Sequence, residues 1–476
     1  MPVPTLNAAQ DPEKNGGQEQ TRPSTPPPSP IPSPSPSPVP IDDEFSRFSG
    51  RRKILMVIIL AWTGLLSPIS STSVLSAIPN VAESLNVSGS VIGLSNALYL
   101  VFMALSPCFW GPWCQTLGRR LSCLASLTIY LGCSIGTALS PNIAAFMVFR
   151  MLTAFVGTAV LVIGPVAIRD LYAPLERATA ISWFYTGTLV GQCLGPLMAG
   201  AIVTYTTWRV IFWLQTGLGA VALAGVFFGL PETLNPNSPR PLKGLTRSGK
   251  IRVLIRMTNP WRVITPFKHS SLLVTAFASG ALVWNQYGLF TPIRYVLNPR
   301  FDLETPLQSG LLFLAPGIGY IVGTFGGGRW ADYVARRYFT RRGGVFVAED
   351  RLYAAVPFMV LAIPACMLIY GWSVDKEFGG LPVPVIFMFL QGVAQLFCFP
   401  SLNTYCLDVM PDRSAELIAG NFFIRYIFGA VASATAIPAA ESIGVGWFST
   451  ISGILVLLGG LGIWAAARWG HIKSVP

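Results

Sequence analysis

The sequence predicts an all-α membrane protein in which twelve transmembrane helices form two pseudo-symmetric six-helix bundles. Three observations predict it: charge is scarce, apolar runs of bilayer-spanning length recur twelve times, and the second half of the chain repeats the first. Of the 476 residues, 52% are hydrophobic and 11% charged, against about 25% charged in an average soluble protein. The charges gather in short clusters between long apolar runs, so the solvent for most of the chain is lipid.

The elements follow in chain order. Residues 1–50 are rich in Pro and Ser, densest from Pro26 to Pro40, with too few large apolar side chains to fold, and are expected to be a disordered cytoplasmic tail. The tail lacks the basic start, apolar centre and cleavage site of a secretory signal, so the first span is expected to direct insertion. A crossing needs about 20 apolar residues for about 30 Å of hydrocarbon. Runs of that length lie near residues 54–78, 91–113, 121–140, 143–167, 178–203, 209–230, 270–292, 308–328, 352–372, 382–406, 416–440 and 446–467. Residues 231–269 divide these six and six, and carry eight basic side chains from Arg240 to Lys268 against the single acid Glu232. They are expected to be a basic cytoplasmic linker lying on anionic lipid. The expected domains are therefore bundles at 51–230 and 270–467, with a cytoplasmic tail at 468–476.

Of the 33 Lys and Arg, 27 fall in segments on the side of the two termini. Only Arg209, Arg294, Arg300 and Lys376 fall on the other side, and Arg150 and Arg425 within spans. This asymmetry predicts cytoplasmic termini. The plasma membrane is the expected location, with an internal membrane left open. The sequon Asn86-Val87-Ser88 falls in the first outer loop, where Asn86 is a candidate glycosylation site.

The net charge of +12 does not imply nucleic acid, because the basic residues flank apolar segments and form no continuous face. The eight cysteines lie in or at the edges of spans without zinc-site spacing, and His269 and His471 lie near span ends. No metal and no cofactor is expected. An enzyme is not expected either, since the chain shows no nucleophile with a base and an orienting group, no phosphate loop and no metal-ligand set.

Displacing the chain on itself by 217 residues aligns Gly93-Leu94 with Gly310-Leu311, Gly111 with Gly328, Trp113 with Trp330, and Arg119-Arg120 with Arg336-Arg337. The second and eighth spans therefore match, and two like-oriented halves around a central cavity follow. These residues resemble the major facilitator superfamily and, within it, the fungal drug:proton antiporters with twelve spans. The loop from Gly111 to Arg120 is similar to the family's gating motif, and Gly328 through Asp332 to Arg337 to its second copy. Arg150 stands at the position of the family's membrane-embedded arginine, and Gly191-Gln192-Cys193-Leu194-Gly195-Pro196-Leu197-Met198-Ala199-Gly200 resembles its antiporter motif. The resemblance covers roughly residues 54–467 and implies alternating access. It breaks at Gln115 and Thr116, which replace the first gate's Asp and Arg, and at Ala154 and Ala199, which replace glycines. Asp332 is then expected to carry the lock, with Gly111, Arg119, Arg120, Gly328, Arg336 and Arg337 as gating residues.

Gly191, Gly195 and Gly200 allow a neighbouring helix to come close, while Pro196 frees a carbonyl and bends the span, which makes this stretch a candidate pivot. Arg150 and Arg425 lie deep within spans, and a charge there is a functional-site hypothesis by default. No Asp or Glu lies mid-span, so the cavity is expected to be electropositive and to suit an anion such as itaconate, citrate or an acidic secondary metabolite. Candidate binding residues are Arg150, Arg425, Gln192, Asn285, Gln286, Gln391, Gln395 and Asn421, with Asn96, Tyr99, Tyr185 and Tyr287 as further polar groups. Gln391 with Gln395, and Asn421 with Arg425, share helical faces. Gly288 and Pro292 are expected to form an outer gate.

Three readings stand at this point: an exporter of organic anions, a broad multidrug:proton antiporter, and a non-transporting nutrient receptor. The expected partners are a small-molecule substrate and the lipid bilayer, with no nucleic acid and a monomeric state. Protons are a further candidate partner, bound by Asp332, by Asp170 or by the substrate itself, with uncoupled export down the substrate gradient as the alternative.

Overall fold

Lipid offers a backbone N–H or C=O no partner, so each long apolar run closes its own hydrogen bonds as helix. The computed structural model describes residues 47–234, 260–297, 300–301 and 306–469. The expected tails and most of the linker lie outside the described residues. In chain order the crossing helices are α1 (Gly50–Ser84), α2 (Gly89–Leu117), α3 (Arg119–Ala138), α4 (Ile143–Gly157 continued by Ala159–Leu171), α5 (Arg177–Tyr205) and α6 (Arg209–Gly229). The second half adds α7 (Ser270–Phe290), α8 (Pro306–Leu312 continued by Leu314–Arg341), α9, α10 (Pro382–Asp408), α11 (Ser414–Ser442) and α12 (Gly444–Trp469). Helix α9 begins as a 3-10 turn over Ala348–Ala354, passes through a π turn over Phe358–Ala362, and ends as Ile363–Asp375.

Eleven of these helices are long and apolar enough to cross a membrane. The other, α7, has 21 residues, about 31 Å at 1.5 Å per residue, but the run Trp284-Asn285-Gln286-Tyr287 lowers its mean hydropathy. The reason this crossing is less apolar is the polarity it brings to the interior.

Packing repeats between the halves. Helix α1 lies on α5 as α7 lies on α11, α3 on α6 as α9 on α12, and α2 on α4 as α8 on α10. The halves meet where α2 packs on α11 and α5 on α8, two contacts that the internal repeat exchanges. At Gly191 a Cβ would stand 2.7 Å from the Leu65 carbonyl oxygen, and at Gly195 2.9 Å from that of Ile69, so α1 and α5 touch backbone to backbone. Gly200 is buried on the same helix. Pro196 leaves its neighbourhood short of an N–H donor, and its own carbonyl accepts from Ser76 Oγ of α1 at 3.1 Å.

Because α1 starts and α12 ends on one face, that face is called terminal below and the opposite one distal. On the distal side Asn86 is exposed and turns the chain between α1 and α2 at φ 54°, a left-handed value Asn tolerates.

Candidate functional site

A polar side chain persists inside lipid where another polar group or a wet cavity meets it. The described residues collect such groups between the halves at three levels.

At the terminal face Gly328 lets α8 lie against the first turn of α5, since a Cβ there would stand 2.6 Å from Thr179 Cα. One turn further, Asp332 accepts from the N–H groups of Ala178 (3.1 Å) and Thr179 (2.9 Å) and from Thr179 Oγ1 (2.6 Å). A carboxylate there satisfies helix-end donors and meets the positive end of the α5 dipole. Behind it, Arg351 reaches Asp332 at 3.8 Å and Asp408 at 2.7 Å, and Arg177 pairs with the other Asp408 oxygen. The side chains of Arg351, Arg177 and Asp408 are 0%, 4% and 3% exposed, so this network ties α5 of the first half to α8, α9 and α10 of the second in a nearly dry setting. Arg336 pairs with Glu176 at 3.3 Å in solvent, and Arg337 is exposed.

The first copy of the motif makes the same helix contact without the carboxylate. A Cβ at Gly111 would stand 2.9 Å from Ala419 Cβ, so α2 lies on the start of α11 as α8 lies on α5. Gln115 occupies the place equivalent to Asp332. Arg119 turns into its own half, with Nε 3.0 Å from Asp170 and Nη1 donating to the Cys114 carbonyl, and Arg120 donates to the Phe227 carbonyl at 2.7 Å. Glu232 takes an unforeseen part: its carboxylate accepts from the N–H groups of Arg119 (2.9 Å) and Arg120 (3.2 Å) and so caps α3. Its position directly after α6 was the only sequence signal for this. The Asp408–Arg351–Arg177 cluster left even less signal, because its members are scattered along the chain.

Midway along the helices a chain of neutral groups crosses the seam. Gln192 of α5 donates to Tyr287 Oη at 3.3 Å and accepts from Gln286 Nε2, both of α7. Gln286 also donates to Tyr320 Oη of α8 at 3.0 Å, Tyr320 donates to Gln395 Oε1 of α10 at 2.9 Å, and Gln395 donates to the Leu282 carbonyl. Arg425 of α11 is 4% exposed, and its guanidinium lies over the rings of Phe399 (4.4 Å), Phe422 (4.6 Å) and Tyr185 (5.7 Å). Tyr185 belongs to the other half, so Arg425 stands at the seam, and its Nε and Nη1 have no hydrogen-bond partner. No described carboxylate pairs with it.

The other sequence candidates are placed differently. Arg150 is buried within the first half, 3.5 Å from the Ser70 carbonyl, 3.4 Å from Asn96 Oδ1 and over the Tyr99 ring at 4.8 Å. Asn421 shares the Arg425 face but donates to Asn403 within the second half. Asn285 and Gln391 are buried with both amide atoms unpartnered. The Gln395–Leu282 contact sets an antiparallel register in which Gln391 lies one turn distal to Gln395, at the level of Asn285.

Near the distal face a cavity of ≈ 370 Å³ lies between α1, α2, α7, α8 and α11, lined by Ser76, Asn96, Phe290, Phe313 and Pro438 among others. A larger cavity of ≈ 1030 Å³ opens sideways between α1, α5 and α8. Its walls include Ile58, Trp62, Trp183 and Tyr333, which are exposed, and it meets the terminal-face polar network at Glu176, Thr179, Asp332 and Arg336. This larger recess is mostly apolar and lies apart from the polar groups of the seam. Among the described residues no cluster of His, Cys, Asp and Glu could hold a metal.

Known proteins resemble this chain in sequence and in fold. The chain is 27% identical to citrate exporter 1 of Aspergillus niger, with 89% of this chain and 87% of that protein covered. It is 25% identical to the MFS antiporter QDR3 of Candida albicans, with 86% and 77% covered. The human organic anion transporter MFSD10 superposes with a TM-score of 0.68 at 19% identity, covering 86% of this chain and 99% of that one. The model of the Major Facilitator Superfamily matches residues 60–434, so the chain, a multi-pass membrane transporter and not an enzyme, belongs to that family.

Proposed function

We propose that the protein exports a small organic anion by alternating access, with cytoplasmic termini and the terminal face as the inner gate. The observation that carries this reading is Arg425: a buried guanidinium at the seam of the halves, met by ring faces and, among the described residues, by no carboxylate. A desolvated cation of this kind attracts a carboxylate strongly and repels a cation. The similarity to proteins named as a citrate exporter and an organic anion transporter supports the same reading. In the cycle, Asp332, Arg351, Asp408 and Arg177 hold the inner gate shut while the distal cavity admits or releases cargo. The α1–α5 contact at Gly191, Gly195 and Pro196 serves as the pivot.

Reconstitution into proteoliposomes tests it. Citrate, itaconate, the monocarboxylate 4-hydroxybenzoate and a cationic dye are offered with and without a pH gradient. Transport of at least one of the three acids is expected, falling at least tenfold in Arg425→Ala. Transport of the dye alone, unaffected or raised by Arg425→Ala, would replace this reading with that of a drug:proton antiporter.

A further inference from the structure

Resting on the organic-anion reading, we infer that the cargo enters the seam with a single negative charge and that its other polar groups are uncharged: a monocarboxylate bearing hydroxyl, keto or amide groups, not a di- or tricarboxylate. The argument is a count of charges at the site. Among the described residues the buried charged side chains other than Arg150 and Arg425 stand in the terminal-face parts of their helices, where ion pairs or helix-end contacts meet all of them but Glu349. Arg150 makes its contacts within the first half, to the Ser70 carbonyl and Asn96, and over Tyr99 and Phe146. Its Nη1 and Nη2 are turned to these neutral acceptors on α1 and α2 and only its Nε is unpartnered, so it is held inside the first half, with no contact to the second. That leaves one guanidinium at the seam, with Nε and Nη1 unpartnered.

One guanidinium edge matches one carboxylate. A second carboxylate in the same dry space would meet no cation, and the desolvation of an unpaired charge excludes it or forces it to protonate. What the seam offers beyond Arg425 is neutral. The Tyr287 ring stands 3.2 Å from the position of a Cβ on Gly429, one turn along α11 from Arg425, and Tyr287 begins the run through Gln192, Gln286, Tyr320 and Gln395. Amides and phenols donate and accept at once, so they read hydroxyl, keto and amide groups without compensating charge. The rings of Tyr185, Phe399 and Phe422 add an apolar wall suited to a flat or hydrophobic body.

Equilibrium binding to the purified full-length protein in nanodiscs tests this. Competitors are matched pairs that differ by one carboxylate, such as 4-hydroxybenzoate with terephthalate and 4-hydroxybutyrate with succinate, together with citrate and a cationic dye. The monocarboxylate of each pair is expected to bind at least tenfold more tightly than its dicarboxylate and than citrate. Gln286→Leu is expected to weaken 4-hydroxybenzoate at least fivefold and benzoate less than twofold. Tighter binding of citrate or of the dicarboxylates would overturn the inference and leave the organic-anion reading standing. Binding of the dye with none of the acids would overturn both. The wild-type series decides the matter even where a variant fails to fold.

Discussion

Gly118 and Glu232 act as one unit. Gly118 holds φ 98° between α2 and α3, in a region that side chains other than Gly rarely adopt, and a Cβ on it would run into the Glu232 carboxylate. The carboxylate caps α3, a contact whose loss is worth about 0.5–2 kcal/mol. Glu232→Ala should therefore lower stability by about 1 kcal/mol. Gly118→Ala should lower it by about 1–3 kcal/mol through strain and collision together. The double variant should be less destabilised than the sum, because removing Glu232 also removes the collision. Chemical denaturation of the four proteins in detergent measures the cycle, and strict additivity would show that the two residues act independently. The sequence displays Glu232 as a lone acid in a basic linker, and nothing in that stretch points to the start of α3. Such caps depend on residues that meet only after α6 has returned to the terminal face. Arg425 was more legible, since an arginine deep in an apolar run is conspicuous in itself. Its three aromatic neighbours come from α5, α10 and α11 and were not.

At the scale of elements, spacing of small residues decides which helices can touch. Gly191 leaves α1 and α5 in backbone contact, and an added isopropyl group has no volume to occupy. Gly191→Val should cost about 1–3 kcal/mol by overpacking and reduce transport more than abundance, because α5 carries Gln192 into the seam from the next position. Gly132 on α3 has nothing within 4 Å of an added Cβ, so Gly132→Val should leave both close to wild type. Parallel measurement of surface expression and transport separates these outcomes, and equal damage from both substitutions would contradict the packing argument. Most elements were visible from apolar run length alone. The helix α8 was not fully so, because it continues as helix from the span predicted to end at 328 through to Arg341. Hydropathy marks where a helix leaves lipid, whereas backbone hydrogen bonds extend it into water. As a result Asp332 projects from a helix against α5 and not from a loop. The candidate amides divided for a related reason: periodicity put Gln391 and Gln395 on one face, but only the packing of α7 and α8 on α10 gives Gln395 its partners.

For the whole molecule, the two-fold repeat combined with one substitution gives two unequal crossings at the proposed gate. Both α2–α11 and α8–α5 crossings are close at the terminal face, yet only the second carries a carboxylate on the facing helix start. Removing one member of a buried ionic network typically costs about 3–5 kcal/mol. Since 1.4 kcal/mol is about tenfold in an equilibrium constant, a loss of that size confined to the closed gate would move the open and closed populations by about two orders of magnitude or more. Cys193 reports this equilibrium: it is buried on α5, 3.0 Å from where a Cβ on Gly317 of α8 would stand, so a thiol reagent reaches it only when the halves part. Asp332→Asn should speed its alkylation at least tenfold. Gln115→Asp, which restores a carboxylate facing α11, should slow both alkylation and turnover by strengthening the weaker side. Mass spectrometry of Cys193 after timed exposure to a maleimide, alongside transport rates, checks both. If Asp332→Asn left the alkylation rate unchanged, the network would be a structural tie and not a gate. The opposite responses expected of the two substitutions follow from a single difference between the motif copies, Gln115 where the repeat places Asp332.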